Sequence, residues 1–502
     1  MNALTFGTAG LRGPMREGPD AMNVTTVARA TWAVAKVLND RCLGGSTVVV
    51  GRDARHHSDE FATTTAEVFA AEGFSVVLLP DPAPTPVLAF AVRHLGAAAG
   101  VQITASHNPA ADNGYKVYFD GGIQIVPPTD ADIERAMQQA PTHIAREPVI
   151  AADTGLIELY ARHTATLRRT VGDVRVALTA MHGVGGALAV NVLKRAGITD
   201  IHTVAEQFDP DPDFPTVAFP NPEEPGATDL LLALAAHTDA EVAIALDPDA
   251  DRCAVGIPTD KGWRMLSGNE TGWLLGEYIL SNLATEDVET AVVASSIVSS
   301  QLLAKIARHH RTHHVETLTG FKWLARADAK SPGATLRYAY EEAIGHCVDP
   351  ATVRDKDGIS AAVAVCDLVT ALRTQNLTVS DQLDALARRH GVHLTDAVSV
   401  HTDAPAVMRH LREAPPTEFA GIAVTVDDLA QRRGQQRTDA LIFTGAQDAG
   451  LRVAVRPSGT EPKIKCYLEV SLAPGADLTD ARVHADKVMR QAKREIAELL
   501  GG

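Results

Sequence analysis

The chain has 502 residues, 45% of them hydrophobic and 22% charged, with a formal net charge of −16. This is the composition of a globular protein long enough to bury several separate cores. So acidic a balance argues against a nucleic-acid binder, whose footprint is a basic face.

The chain opens on a glycine-rich stretch, Phe6-Gly7-Thr8-Ala9-Gly10-Leu11-Arg12-Gly13. It follows no full strand and matches neither the dinucleotide fingerprint nor the P-loop, so nucleotide binding is unsupported. Three β-branched runs then recur along the chain, Thr47–Val50, Val174–Leu178 and Ala291–Ala294. Each reads as a buried parallel strand. A helical stretch follows each, and then a second strand, at Ser75–Leu79, Ile201–Ala205 and His314–Leu318. A third strand closes each unit and runs into Thr104-Ala105-Ser106-His107-Asn108-Pro109, Asp247-Pro248-Asp249-Ala250-Asp251-Arg252, or Glu341-Glu342-Ala343-Ile344-Gly345. Strands alternating with helices predict parallel sheets, whose ligands bind beyond the carboxyl ends of the strands. From about Val392 the reading changes to short strands, among them Val398–His401 and Leu451–Val455, and a closing helix from about Thr479 to Leu499. The expected fold is therefore three similar doubly wound α/β/α domains, at 1–152, 153–265 and 266–390, and a smaller α+β domain at 391–502.

Each loop has a plain alternative when taken alone. Ser106 lies among small and turn-forming neighbours that leave a hydroxyl accessible, as an N-cap serine also would; the G-x-S-x-G of a hydrolase elbow is absent. Asp247, Asp249 and Asp251 alternate, so in an extended loop they project to one side and repel one another unless a cation joins them. Hard oxygen ligands of this kind suit magnesium or calcium, and the EF-hand pattern fails at Arg252 and Pro258. Arg456-Pro457-Ser458-Gly459-Thr460-Glu461-Pro462-Lys463 offers two cations, two hydroxyls and a tight backbone, a ready anion nest. A hydroxyl nucleophile, a divalent cation and a phosphate nest together point to phosphoryl transfer, which depends on positioning and charge neutralisation.

The combination resembles the α-D-phosphohexomutases, the phosphoglucomutases and phosphomannomutases, over the whole chain and with all four signature loops in order. The resemblance implies four domains around a central cleft, the last like the TATA-binding-protein fold. It implies a phosphoryl group on Ser106, and magnesium held by Asp247, Asp249, Asp251 and a phosphoserine oxygen. Arg12 and Arg252 would flank the transferring group, with His107 beside it and Lys116 matching the lysine proposed for proton transfer. Glu342, Thr319, Gly320 and Lys356 would bind the sugar, and Arg456, Ser458, Gly459 and Thr460 the phosphate not being transferred. The implied reaction interconverts sugar 1-phosphate and 6-phosphate, of glucose or mannose, through a sugar 1,6-bisphosphate such as glucose 1,6-bisphosphate.

One departure stands out. Many hexomutases carry G-E-x-S-G where this chain has Glu341 to Gly345, so Ile344 takes the place of a serine that would help read the sugar. With Thr317 to Lys322 and Thr179 to Gly183, this version resembles the branch containing phosphopentomutases and glucose-1,6-bisphosphate-related enzymes, and ribose or deoxyribose phosphate is the alternative substrate. An apolar Ile344 predicts a broadened or shifted preference. A rival reading makes Asp247 the nucleophile of a D-x-D-x-T motif, weakened because the fifth position is Asp251. A non-catalytic sugar-phosphate sensor is a second rival.

Scattered cysteines (Cys42, Cys253, Cys347, Cys366, Cys466) show neither zinc spacing nor a disulfide framework. Neither a signal peptide nor a membrane span of ~18 apolar residues is visible. A cytoplasmic enzyme acting on a small phosphosugar, with no nucleic acid, membrane or obligatory protein partner, is the expectation.

Overall fold

A computed structural model describes residues 4–7, 10–119, 121–152, 154–329, 331–458, 463–475 and 477–501, with the side chain of Gln435 left aside. In chain order the first segment comprises β1 (Leu11–Pro14), α1 (Val24–Asp40), β2 (Thr47–Arg52), α2 (Ser58–Ala71), β3 (Ser75–Leu78), α3 (Thr85–His94), β4 (Ala99–Ile103), β5 (Asp112–Phe119), β6 (Ile123–Gln124) and α4 (Thr129–Gln139). The second has α5 (Leu156–Ala165), β7 (Val176–Thr179), α6 (Gly186–Arg195), β8 (Ile201–Thr203), α7 (Asp229–His237), β9 (Val242–Leu246), β10 (Cys253–Thr259) and β11 (Gly262–Met265). The third has α8 (Gly268–Ser281), β12 (Ala291–Ser296), α9 (Leu302–His309), β13 (His313–Thr317), α10 (Phe321–Leu324), β14 (Thr335–Glu341), β15 (Gly345–Cys347) and α11 (Gly358–Thr374). α12 (Val379–His390) closes the third segment, and the last has β16 (His393–His401), α13 (Ala404–Glu413), β17 (Glu418–Phe419), β18 (Ile422–Ala423), β19 (Thr425–Asp428), β20 (Leu441–Ala446), β21 (Gly450–Pro457), β22 (Lys463–Ser471) and α14 (Leu478–Leu499).

The chain packs as two compact units, Met1–Leu275 with Gly320–Asn376, and Gly276–Thr319 with Leu377–Gly502. In the first unit, one sheet runs β1-β5-β4-β2-β3 and another β11-β10-β9-β7-β8. The β-branched runs pair in parallel as their sequences predict: β2 with β3 and β4, β7 with β8 and β9. The sheets are mixed, however, and not wholly parallel. Each third strand turns back into an antiparallel partner, β4 into β5, β9 into β10 and β14 into β15. At each of these turns a residue other than glycine adopts the left-handed conformation: Ser106 at φ 54°, Ala250 at φ 52° and Ile344 at φ 54°. This costs of order 1 kcal/mol or more at each turn and persists only where the surroundings over-determine it. The threefold pattern thus recurs at the level of backbone conformation, where the sequence has no residue-level self-similarity.

Within the second unit, the antiparallel sheet runs β16-β22-β21-β20-β19. Its alternation sorts Leu451, Val453 and Val455 of β21 toward α13 and α14, in a core with Met408, Leu411, Val488 and Met489. The opposite face buries Ala454, Ile442 and Leu429 against Ile297 and Val298, which follow β12. No helix among the described residues is long and apolar enough to cross a membrane.

Candidate active site

The three hairpin turns of the first unit converge through specific bonds. The Cys253 amide donates to the Ile344 carbonyl at 3.1 Å, and the Gly358 amide to that of Ala250 at 3.0 Å. Gly345 must lack a side chain here, because a Cβ would collide with the Lys356 stem and come within 3.0 Å of Glu341.

Ser106 is 1% exposed. Its amide donates to Thr104 Oγ1 at 2.9 Å, which fixes the left-handed turn, and its Oγ donates to Asp247 Oδ2 at 2.9 Å. His107 Nδ1 lies 3.3 Å from the same Oγ. Burial, then Arg252 and Arg12, hold the His107 pKa well below the usual imidazole range, so the ring is neutral at pH 7. Arg12 Nη1 donates to Asn108 Oδ1 at 3.3 Å. Among the described residues the buried Nε atoms of Arg12 and Arg252 have no hydrogen-bond acceptor. These are donors suited to phosphoryl oxygens.

Asp247, Asp249 and Asp251 are wholly buried, and one oxygen from each lies within 4.8 Å of the others. Burial pushes Asp247 well above the usual carboxylate range, and Asp249 and Asp251 push it further. Burial would raise Asp251 too, but Lys116, Lys356 and Arg252 outweigh it and hold that carboxyl low. Lys116 Nζ donates to Asp249 Oδ2 at 2.6 Å and Asp251 Oδ2 at 2.9 Å, and Lys356 Nζ lies 3.2 Å from Asp251 Oδ2. The remaining oxygens, Asp249 Oδ1 and Asp251 Oδ1, are buried with no hydrogen-bond donor among the described residues. Two orphaned carboxylate oxygens beside a third carboxylate fit a small hard cation such as magnesium, and among the described residues no cysteine or histidine joins the three carboxylates in this group, which disfavours zinc.

The structure thus brings together Ser106, His107, Arg12, Lys116, Asp247, Asp249, Asp251, Arg252 and Lys356. Glu342 lies half-buried in the β14–β15 turn of the same unit. Thr319 and Gly320 straddle the boundary of the two units. Gly320, at φ 104°, starts the one-turn α10, whose Phe321 ring lies under Lys356, Nζ to centroid 5.6 Å. Arg456 and Ser458 belong to the second unit, at the end of β21, where the Ser458 amide donates to the Lys463 carbonyl at 2.8 Å. Gly459 and Thr460, like Thr8 and Ala9 of the first loop, lie outside the described residues.

Ile344 corrects an expectation. It is 2% exposed and packs with Ala177, Val204, Leu231 and Ala243 in the core of the second segment. Its side chain is thus a packing group of that core. Replacing Ile344 with Ser is therefore expected to lower stability by about 3 kcal/mol, from the lost burial and a buried hydroxyl. Urea unfolding measures the loss, and the ratio of kcat/KM between sugars stays within about twofold; a sharpened ratio at full stability would return Ile344 to the substrate.

Sequence reasoning missed the residues that hold the loops in place. Arg55 donates Nη2 to the carbonyls of Ser106 and Asn108, both at 2.6 Å, and Nη1 to those of Pro109 at 2.8 Å and Asp112 at 3.2 Å. Asp355 takes Tyr118 Oη at 2.8 Å and Gln124 Nε2 at 2.7 Å on one oxygen, and the Lys356 amide on the other, which anchors Lys356. The available signal was position: Gly51-Arg52-Asp53-Ala54-Arg55 runs off the carboxyl end of a central parallel strand.

Four family descriptions match the chain in order: phosphoglucomutase/phosphomannomutase alpha/beta/alpha domain I over residues 3–143, domain II over 158–260, domain III over 267–390, and the C-terminal domain over 417–484. A protein of Haemophilus influenzae named "Probable phosphomannomutase" is 40% identical over 495 residues, covering 95% of this chain and 98% of its own. The phosphopentomutase of Homo sapiens is 35% identical over 553 residues, covering 99% and 88%. Among solved structures, the open form of the Paramecium phosphoprotein pp63/parafusin, a phosphoglucomutase, superposes with a TM-score of 0.75 at 19% identity, over 99% of this chain and 96% of that one. A phosphoglucomutase/phosphomannomutase family protein of Burkholderia thailandensis gives 0.74 at 20% identity, over 98% and 97%.

Proposed function

The chain belongs to the phosphoglucomutase/phosphomannomutase family and is a phosphosugar mutase, and we propose that it interconverts the 1-phosphates and 6-phosphates of glucose and mannose through a phosphoserine at Ser106. The observation that carries this reading is the Ser106 hydroxyl 2.9 Å from Asp247, inside a ring of three buried carboxylates, with Lys116 and Arg252 beside them. The segments 1–152, 153–265, 266–390 and 391–502 would bring the phosphoserine, metal, sugar and distal-phosphate loops respectively.

In the forward step the phosphoryl group leaves Ser106 Oγ for a sugar hydroxyl, and the proton of that hydroxyl ends on Oγ. Asp247, Asp249 and Asp251 would hold a magnesium ion, which when bound would neutralise charge on the transferring group. Arg12 and Arg252 aim guanidinium donors at its oxygens. Lys116 is the candidate for proton transfer; burial is outweighed by Asp249 and Asp251, which raise its pKa, so it is an ammonium that holds its proton tightly while those contacts last, and His107 is neutral and adjoins Ser106 Oγ. The product is a sugar bisphosphate, which must present its other phosphate to the serine. Glu342 would hold sugar hydroxyls, and Arg456, Ser458, Gly459 and Thr460 the phosphate at rest.

The names of several relatives favour a second reading, a pentose substrate. The human phosphopentomutase is 35% identical, and a Saccharomyces cerevisiae phosphoribomutase is 33% identical over 538 residues. A panel of glucose, mannose, ribose and deoxyribose 1-phosphates, with magnesium and a trace of sugar bisphosphate, tests both. Turnover of both hexoses is expected, abolished by chelation and restored by magnesium. A kcat/KM for ribose 1-phosphate more than about tenfold above both hexoses, a margin of about 1.4 kcal/mol, would overturn the hexose assignment. Turnover that survives exhaustive chelation would overturn the metal.

A further inference from the structure

Thr85 lies 164 residues from Asp249 in sequence and is wholly buried against it. It is the first residue of α3, set between Pro84 and Pro86. An N–H at a helix start has no partner inside its own helix. Here the Thr85 amide donates to the Asp249 carbonyl at 3.0 Å, while Thr85 Oγ1 donates to Asp249 Oδ2 at 2.5 Å. One residue therefore grips both the main chain and the side chain of the central aspartate. Lys116 Nζ donates to the same Oδ2 at 2.6 Å. Two donors thus occupy Oδ2, while Oδ1 is buried and has none among the described residues. Turning the carboxylate about its Cβ–Cγ bond would break both bonds at once.

We propose that Thr85 is a positioning residue for the divalent cation, holding Asp249 so that Oδ1 alone is presented to the ion; this rests on the reading that Asp247, Asp249 and Asp251 bind that ion. Lys116 cannot perform the task alone, because its ammonium is shared with Asp251 and would follow either carboxylate. The hydroxyl is directional and comes from a helix terminus that cannot drift. Partners that orient a metal ligand from behind typically change affinity by about 10- to 100-fold when removed.

The test is direct Mn2+ binding to the full-length, chelator-stripped enzyme, followed by electron paramagnetic resonance and repeated as a Mg2+ competition. Thr85→Val keeps the shape and loses the hydroxyl; its Kd for Mn2+ is expected to rise about tenfold or more. Thr85→Ser keeps the hydroxyl and is expected to stay within about threefold of the parent, a rescue that a mere packing role would not produce. Wild-type affinity in the valine variant, or equal losses in both, would overturn the proposal. Should the valine variant fail to fold by circular dichroism, Thr85→Ala replaces it; failure of both to fold would assign Thr85 to the fold alone and also overturn it. Asp249→Asn separates the two levels. If it weakens Mn2+ binding while the valine variant does not, Thr85 falls and the metal reading stands; if it too leaves binding unchanged, the metal reading itself falls.

Discussion

Replacing Ser106 with Ala is expected to remove turnover by at least about 10⁴-fold, the scale seen when a covalent nucleophile is deleted. The fold should survive, because among the described residues the side chain makes two polar contacts, with Asp247 at 2.9 Å and His107 at 3.3 Å. Losing the first costs about 1 kcal/mol. The left-handed turn is imposed by Thr104 and Arg55, both untouched. Sugar-phosphate binding should persist as well, since Arg12, Arg252 and Lys116 are intact. Intact-mass and peptide analysis of active wild-type enzyme should place one phosphoryl group on Ser106 and none on the alanine variant. A phosphoserine is stable in acid, whereas an acyl phosphate on Asp247 is labile. Retained activity in the variant, with an acid-labile phosphate, would make Asp247 the nucleophile and sink the serine mechanism.

The chemistry was legible because it is contiguous: Asp247, Asp249 and Asp251 alternate within five residues, and Ser106 ends a strand whose β-branched partners mark it as central. The core strands were legible for the same reason, since buried parallel strands such as Val48–Val50 are apolar without interruption. The antiparallel returns were not. β5 begins Asp112-Asn113-Gly114 and β10 carries Gly256 and Pro258, compositions that read as turns until a neighbouring strand pairs with them. Ile344 was placed in the right loop, but residue type does not reveal that its side chain packs into the core with Ala177 and Leu231, while Ser106, at the same φ, faces Asp247. Thr85 and Arg55 left no compositional trace. One serves a carboxylate 164 residues away and the other backbone carbonyls, so residue type alone encodes neither, and only the place of Arg55 beyond a strand end hints at its role.

Arg55 carries the second large effect. Its side chain is 1% exposed and clamps four carbonyls between Ser106 and Asp112, with its guanidinium carbon 4.9 Å from the Phe214 ring. Asp53, equally buried, balances its charge at 3.3 Å. Replacing Arg55 with Met leaves four carbonyls without a charged donor and a carboxylate without its cation. Breaking a buried pair in this way costs about 3–5 kcal/mol. Burial already raises the Asp53 pKa against the pull of Arg55, and removing Arg55 raises it further. A carboxyl whose folded pKa lies above its unfolded value, about 3.9, loses stability as pH rises toward the folded pKa. The stability deficit of the variant should therefore be larger at pH 8 than at pH 5, as urea unfolding at the two values would read. Asp53→Asn in the same chain removes the uncompensated charge, so the double variant should regain much of the stability and lose the pH dependence. It should not regain activity, because Ser106 still lacks the clamp that fixes its turn; kcat should stay down by about 10²-fold, as misplacement by about 1 Å costs a positioned nucleophile. Arg55→Lys should not rescue either, since an ammonium cannot span four carbonyls in the fixed fork of a guanidinium. A double variant that recovered stability and kcat together would show that Arg55 serves only to neutralise Asp53, and that the loop holds Ser106 by itself.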